Sequence, residues 1–126
     1  MNTFDDPLGY IKLSEELSKW TSDSELKFSK ERTIISRLYY GVFYFIKCKL
    51  GKESNKINHK RIREEIQKYA EKKGIDFNFK DSLAQLYRLR ENADYYEKPK
   101  IDEKSVREAW DLYDVLKDKL LEVWDE

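Results

Sequence analysis

Apolar residues recur at helical spacing along almost the whole chain, and they predict five helices. Ile35, Leu38, Tyr39, Val42, Phe43 and Ile46 form one broad stripe, and Tyr40 and Phe45 widen it around the side. They belong to a helix expected over about Lys27 to Leu50, with Gly51 as the residue that ends it. A helix apolar on so much of its circumference belongs at the centre of a bundle or against a partner. Gly41 lies mid-helix, where it costs about 1 kcal/mol relative to alanine, and it marks a close crossing with another helix.

The flanking segments read as follows. Ahead of the central helix, Asp6 is placed as an N-cap with Pro7 at the first helical position, and Leu8, Ile11, Leu17 and Trp20 supply the stripe. That helix is expected to stop near "TSDS", whose side chains compete for backbone hydrogen bonds. The third helix starts after Asn58, a good N-cap, with Ile57 and Ile62 as a hydrophobic staple. Ile62, Ile66 and Tyr69 make its narrow stripe, and Gly74 ends it. The fourth runs from about Lys80 to Tyr96, with Leu83, Leu86, Tyr87, Arg90, Ala93 and Asp94 on one face and Pro99 beyond its end. The fifth begins after Asp102, stapled by Ile101 and Val106, and carries Ala109, Trp110, Tyr113, Leu116, Leu120 and Trp124. Short connections favour antiparallel neighbours. The expected fold is all-α: an up-and-down four-helix bundle with an additional fifth helix, in a single domain spanning 1–126.

Composition narrows the classes. The chain has 126 residues, 40% of them hydrophobic, enough for one core. Three Trp, nine Tyr and six Phe argue against disorder, and four Gly with two Pro favour long helices over a many-turned β fold. Formal net charge is zero, so nothing global calls for a polyanion, although a local basic face is compatible with it. The one cysteine, Cys48, offers neither an intrachain disulfide nor a metal cluster, and it reads as an ordinary helix residue. No run is long and apolar enough to span a bilayer and the start lacks a signal-peptide pattern, which makes a cytoplasmic setting the expectation. No cofactor and no metal ligand set is expected.

Candidate chemistry concentrates where the stripe of the fourth helix runs into "LRENADYY". Arg90 and Asp94 are four apart and share a face. One reading is an ion pair that ties this helix to Ser36 or Tyr39; the other is a phosphate-binding arginine held by Asp94, since a guanidinium fork suits phosphate geometry. Tyr39 and Tyr40 are core aromatics with satisfied hydroxyls, or one hydroxyl joins the Arg90 cleft. Arg37 is a solvated residue or a second cation in that cleft. His59 is a solvated helix-start residue, or it reaches Arg90. Tyr95 packs, or it stacks on a base.

"SRLYYGVFYFIKCKL" resembles the second-helix signature of HEPN domains, with Ser36, Tyr39, Tyr40 and Phe43 at the marked positions. "RENADYY" resembles the motif ending the fourth helix in the UPF0332-like HEPN branch, matched by Arg90, Ala93, Asp94 and Tyr95 with a spacing ambiguity around Asn92. His59 is similar to a histidine found at the start of the third helix there. The resemblance covers most of the chain in element order. It implies a helical homodimer that acts on or binds RNA or a nucleotide, as one component of a toxin–antitoxin pair with a minimal nucleotidyltransferase partner. It implies Arg90, Asp94 and His59 as catalytic candidates, and Ser36, Arg37, Tyr39, Tyr40, Asn92 and Tyr95 as substrate contacts.

The chain departs from the family's metal-independent RNase motif, an arginine followed four to six residues later by histidine. Tyr95, Tyr96 and Glu97 stand near the place of that histidine, and His59 is the only one in the chain. The rival reading from another class is a non-catalytic dimerisation or adaptor module.

Overall fold

The structure, a computed structural model, describes residues 9–19, 24–51, 58–95 and 103–124, without the side chains of 24–29, 94 and 95. The described residues form an all-α bundle of five helices: α1 (Tyr10–Lys19), α2 (Ser24–Lys49), α3 (His59–Lys72), α4 (Phe79–Tyr95) and α5 (Glu103–Val123). Among the described residues there is no strand, and no helix is long and apolar enough to cross a membrane.

Helix α2 touches all four of the others, and α4 packs in addition against α3 and α5. This accounts for the apolar circumference of α2. Ile34, Ile35, Leu38, Tyr39, Val42, Phe45 and Ile46 are each at most 1% exposed, so the girth that as sequence left room for a second copy is taken up within the chain. Burying each such side chain contributes about 1.5–3 kcal/mol before entropy is charged against it. Leu83 and Leu86 of α4 and Leu116, Leu120 and Val123 of α5 complete the core with Ile62 and Ile66 of α3.

Gly41 works as the sequence indicates. A Cβ there would lie 2.4 Å from Cδ1 and 2.8 Å from Cγ1 of Ile11, so the missing side chain is what lets α1 lie against α2. Ser14, fully buried in the same seam, lies with Oγ 3.0 Å from the Tyr10 carbonyl and 3.3 Å from the Ile34 carbonyl across the crossing. Helix α3 has the cap expected of it: Asn58 Oδ1 accepts from the Arg61 amide at 2.8 Å. It closes in a Schellman motif, with Gly74 at φ +77° and the Ile75 amide bonded to the Ala70 carbonyl at 3.0 Å.

Some boundaries differ from expectation. Asp6, Pro7, Leu8, Trp20, Ile57, Ile101 and Asp102 lie outside the described residues, so their capping, stripe and staple assignments do too. The described part of α1 begins only at Tyr10, after Gly9 at φ +69°, a conformation that interrupts a right-handed helix. Helix α2 starts at Ser24, three residues ahead of the expected Lys27. Helix α4 starts at Phe79, which is fully buried and missing from the expected stripe. Its N-cap is Asn78, whose Oδ1 accepts from the Asp81 amide at 3.0 Å.

Gln67 of α3 fixes the α3–α4 connection. Its Nε2 donates to the Phe77 carbonyl at 3.1 Å, and its Oε1 accepts from the Lys80 amide at 3.1 Å. At the other end of α4, Arg32 of α2 donates from Nε to the Ala93 carbonyl, where a cation also suits the negative end of the helix. These two clamps hold α4 beside both α2 and α3, and the candidate site lies in the angle between those three helices.

Candidate functional site

Each of the three helices brings a short, regularly spaced set of side chains to one place. Tyr39 and Phe43 are four apart on α2, His59 and Arg63 four apart on α3, and Tyr87 and Arg90 three apart on α4. The imidazole of His59 lies 4.5 Å from the Phe43 ring, 4.8 Å from Tyr87 and 5.5 Å from Tyr39, centre to centre. Nδ1 of His59 is 2.5 Å from the Tyr39 hydroxyl. The chain's one histidine therefore meets the Tyr39–Tyr40 pair and the arginine of "LRENADYY".

Arg90 is 3% exposed. Its guanidinium carbon lies 5.6 Å from the centre of the Tyr39 ring, 5.1 Å from Tyr40 and 5.0 Å from Tyr87. A desolvated cation among aromatic faces gains about 2 kcal/mol or more. Arg63 approaches the Tyr87 ring at 5.3 Å, so the ring has two guanidiniums beside it. Nη1 of Arg63 is buried, and no described group accepts a hydrogen bond from it. Lys47 lies 5.4 Å from the Tyr44 ring and 5.9 Å from the Phe43 ring.

The electrostatics follow from this crowding. Burial lowers the His59 pKa first, and the positive charges of Arg90, Arg63 and Lys47 lower it further, from 6.5 to about 4. Its position in the first turn of α3, at the positive end of the helix dipole, acts in the same direction. His59 is thus neutral near pH 7. Burial pushes the Tyr39 phenol above its usual value of 10, and Arg63 and Arg90 pull it partly back, so the hydroxyl stays protonated. One proton lies between these two groups. If Tyr39 donates to Nδ1, Nε2 carries the ring proton and is a donor; with the other tautomer Nε2 is an acceptor. The neighbouring guanidiniums polarise the phenol and favour Tyr39 as the donor.

Of the residues singled out in the sequence, Tyr39, Tyr40, Arg90 and His59 come together. Ser36 and Arg37 are half-buried on α2, and Arg37 lies over the Tyr10 ring at 5.0 Å, which gives it a stacking role in place of the solvated one. Asn92 is exposed. The backbones of Asp94 and Tyr95 belong to α4, but their side chains, and with them the Arg90–Asp94 ion pair, lie outside the described residues. Arg63, Tyr87 and Lys47 were not among the sequence candidates for the site, although helix-face arithmetic from His59 and Arg90 reaches the first two. Cys48 is exposed. Among the described residues no group of three His, Cys, Asp or Glu side chains could hold a metal ion.

The arrangement gathers three cations, one neutral imidazole and several ring faces. That can bind an anion with an aromatic base attached, and it can transfer a proton through His59. No family model, curated protein or solved structure matches the chain.

Proposed function

We propose that the chain is a HEPN-type protein that binds RNA or a nucleotide at the His59–Tyr39–Arg90 cluster, and that it acts as a homodimer beside a minimal nucleotidyltransferase. The observation that carries this reading is the meeting of His59 with Tyr39 under the charge of Arg90. His59 of α3 meets Tyr39, whose ring Arg90 of α4 approaches, and this supports reading it as the counterpart of the histidine in the usual motif. The resemblance of "SRLYYGVFYFIKCKL" and "RENADYY" to that family supports the same reading.

Metal-independent cleavage of RNA follows from it as chemistry. The 2′-oxygen attacks the adjacent phosphorus, the 5′-oxygen leaves, and a 2′,3′-cyclic phosphate forms. With Tyr39 donating to Nδ1, His59 acts as the acid: Nε2–H gives its proton to the departing 5′-oxygen while Nδ1 takes the Tyr39 proton, and the 2′-hydroxyl gives its proton to water. The surrounding guanidiniums stabilise the charge that builds on the phosphoryl oxygens.

The test is incubation of purified protein with labelled single-stranded RNA in EDTA, with Arg90→Ala and His59→Gln alongside. Binding by the wild type, with cleavage lost in His59→Gln, is the expected result. If the wild type neither binds nor cleaves the RNA, the reading falls. The adaptor reading then takes its place, favoured by the near-complete burial of Arg90 in its ring of tyrosines. In that case Arg90→Ala lowers the melting temperature and alters no ligand binding.

A further inference from the structure

Resting on that reading, we infer that Arg63 and His59 hold the phosphate of the bound RNA, and that Arg90 is a positioning residue that does not touch it. Arg90 is 3% exposed and closed in by Tyr39, Tyr40 and Tyr87, which leaves an incoming phosphate little of its guanidinium to meet. Arg63 is half-buried, also lies against the Tyr87 ring, and keeps a donor at Nη1 that no described group of the protein satisfies. A buried guanidinium nitrogen without an acceptor costs free energy that a ligand oxygen removes.

The groups around the imidazole make the same case. Tyr39, Phe43 and Lys47 come from α2, Arg63 from the same helix as His59, and Tyr87 and Arg90 from α4. The charged groups that bear on His59 are Arg90, Arg63 and Lys47, and all are positive. With Tyr39 donating to Nδ1, Nε2–H is the second donor of a pair with Arg63. A phosphate placed between them offsets the positive charge that keeps His59 neutral, so binding is coupled to proton uptake by the imidazole. Arg90 acts on the ligand through the rings it orders: it fixes Tyr39, which sets the His59 tautomer, and Tyr87, against which Arg63 lies.

The experiment uses a fluorescent single-stranded RNA and the C2 proton of His59, which is unique in the spectrum because the chain has one histidine. Wild type, Arg63→Gln and Arg63→Lys are compared by RNA affinity across a salt series and by His59 titration with and without RNA. Circular dichroism confirms that each is folded. Arg63→Gln is expected to bind about ten- to a hundredfold more weakly. Its salt dependence should be shallower by about one phosphate contact. The RNA-induced rise in the His59 pKa should vanish in Arg63→Gln and return in part in Arg63→Lys. If wild type and Arg63→Gln bind alike, with the same His59 response, the assignment of Arg63 is wrong while the RNA reading stands. If the wild type itself binds no RNA, both fall.

Discussion

Acidification should unfold this protein partly through His59, and the size of the effect can be worked from the site. The folded-state pKa lies at about 4 against 6.5 for an unhindered imidazole. A depressed histidine pKa means that the fold prefers the neutral ring. The resulting stability is fully present above pH 6.5 and drains away as pH falls towards 4, where the unfolded chain binds a proton that the folded one refuses. At about 1.36 kcal/mol per pKa unit the full difference is about 3 kcal/mol. The ring is partly open to solvent, which screens the cations, so about 1–2 kcal/mol is the expected share. The assay is urea unfolding of wild type and His59→Gln at about pH 7 and about pH 4.5, chosen to span most of that window. Glutamine still bonds the Tyr39 hydroxyl but does not titrate, and the carboxylates common to both proteins cancel in the comparison. Wild type should lose about 1–2 kcal/mol more than the variant on acidification. Parallel losses, or a His59 proton signal titrating near 6.5, would refute the cationic environment described for the ring.

Two further predictions concern the frame of the site. Gly41→Ala should destabilise by about 1 kcal/mol, because overpacking against Ile11 at about 1–3 kcal/mol outweighs the helix-propensity gain of about 1 kcal/mol. In an Ile11→Ala background, which removes both Cδ1 and Cγ1, the same change should be neutral or stabilising, and thermal melts of the four proteins of the cycle decide it. Asn58→Ala removes the acceptor for the Arg61 amide and should cost about 1 kcal/mol in chemical denaturation; an unchanged midpoint would mean that the cap is not holding the first turn of α3.

What the sequence disclosed, and what it did not, divides along physical lines. Asn58, Gly51 and Gly74 act within a few residues of themselves, so the ends they mark could be read without any tertiary information. The stripe on α2 could be read for the same reason, since 3.6-residue spacing is local. The purpose of its breadth could not: four helices of one chain and one helix of a partner make the same demand on composition. Phe79 escaped because it stands at the first position of its helix, where no earlier turn supplies a periodic partner, yet it packs at 4.8 Å against Phe77 as the chain turns. Arg63 and Tyr87 were within reach of the i+4 and i−3 rules. They were passed over because a mixed-charge surface such as "HKRIREEIQKYAEKK" gives no sign of which arginine a neighbouring helix will cover.

The zero net charge of the chain and the positive field at His59 are both facts, and folding alone reconciles them. Lys47, Arg63 and Arg90 are far apart in sequence and come from three helices. Two of them are accompanied by acidic residues along their own segment, Glu64 and Glu65 beside Arg63 and Glu91 beside Arg90. Packing turns the cations inward toward one imidazole. Arg61 meets Glu65 at 3.9 Å, which engages one of those acids on the surface. A composition test for nucleic-acid binding therefore misses this site, because the charge that matters is sorted by helix faces. The same sorting separates two roles that a single arginine cannot display apart. At Arg90 loss of the side chain removes both packing and charge, so any functional defect is confounded with instability. At Arg63, whose guanidinium lies against one ring with a donor still to satisfy, charge and fold can be varied independently, and it is there that the electrostatic reading of the site stands or fails.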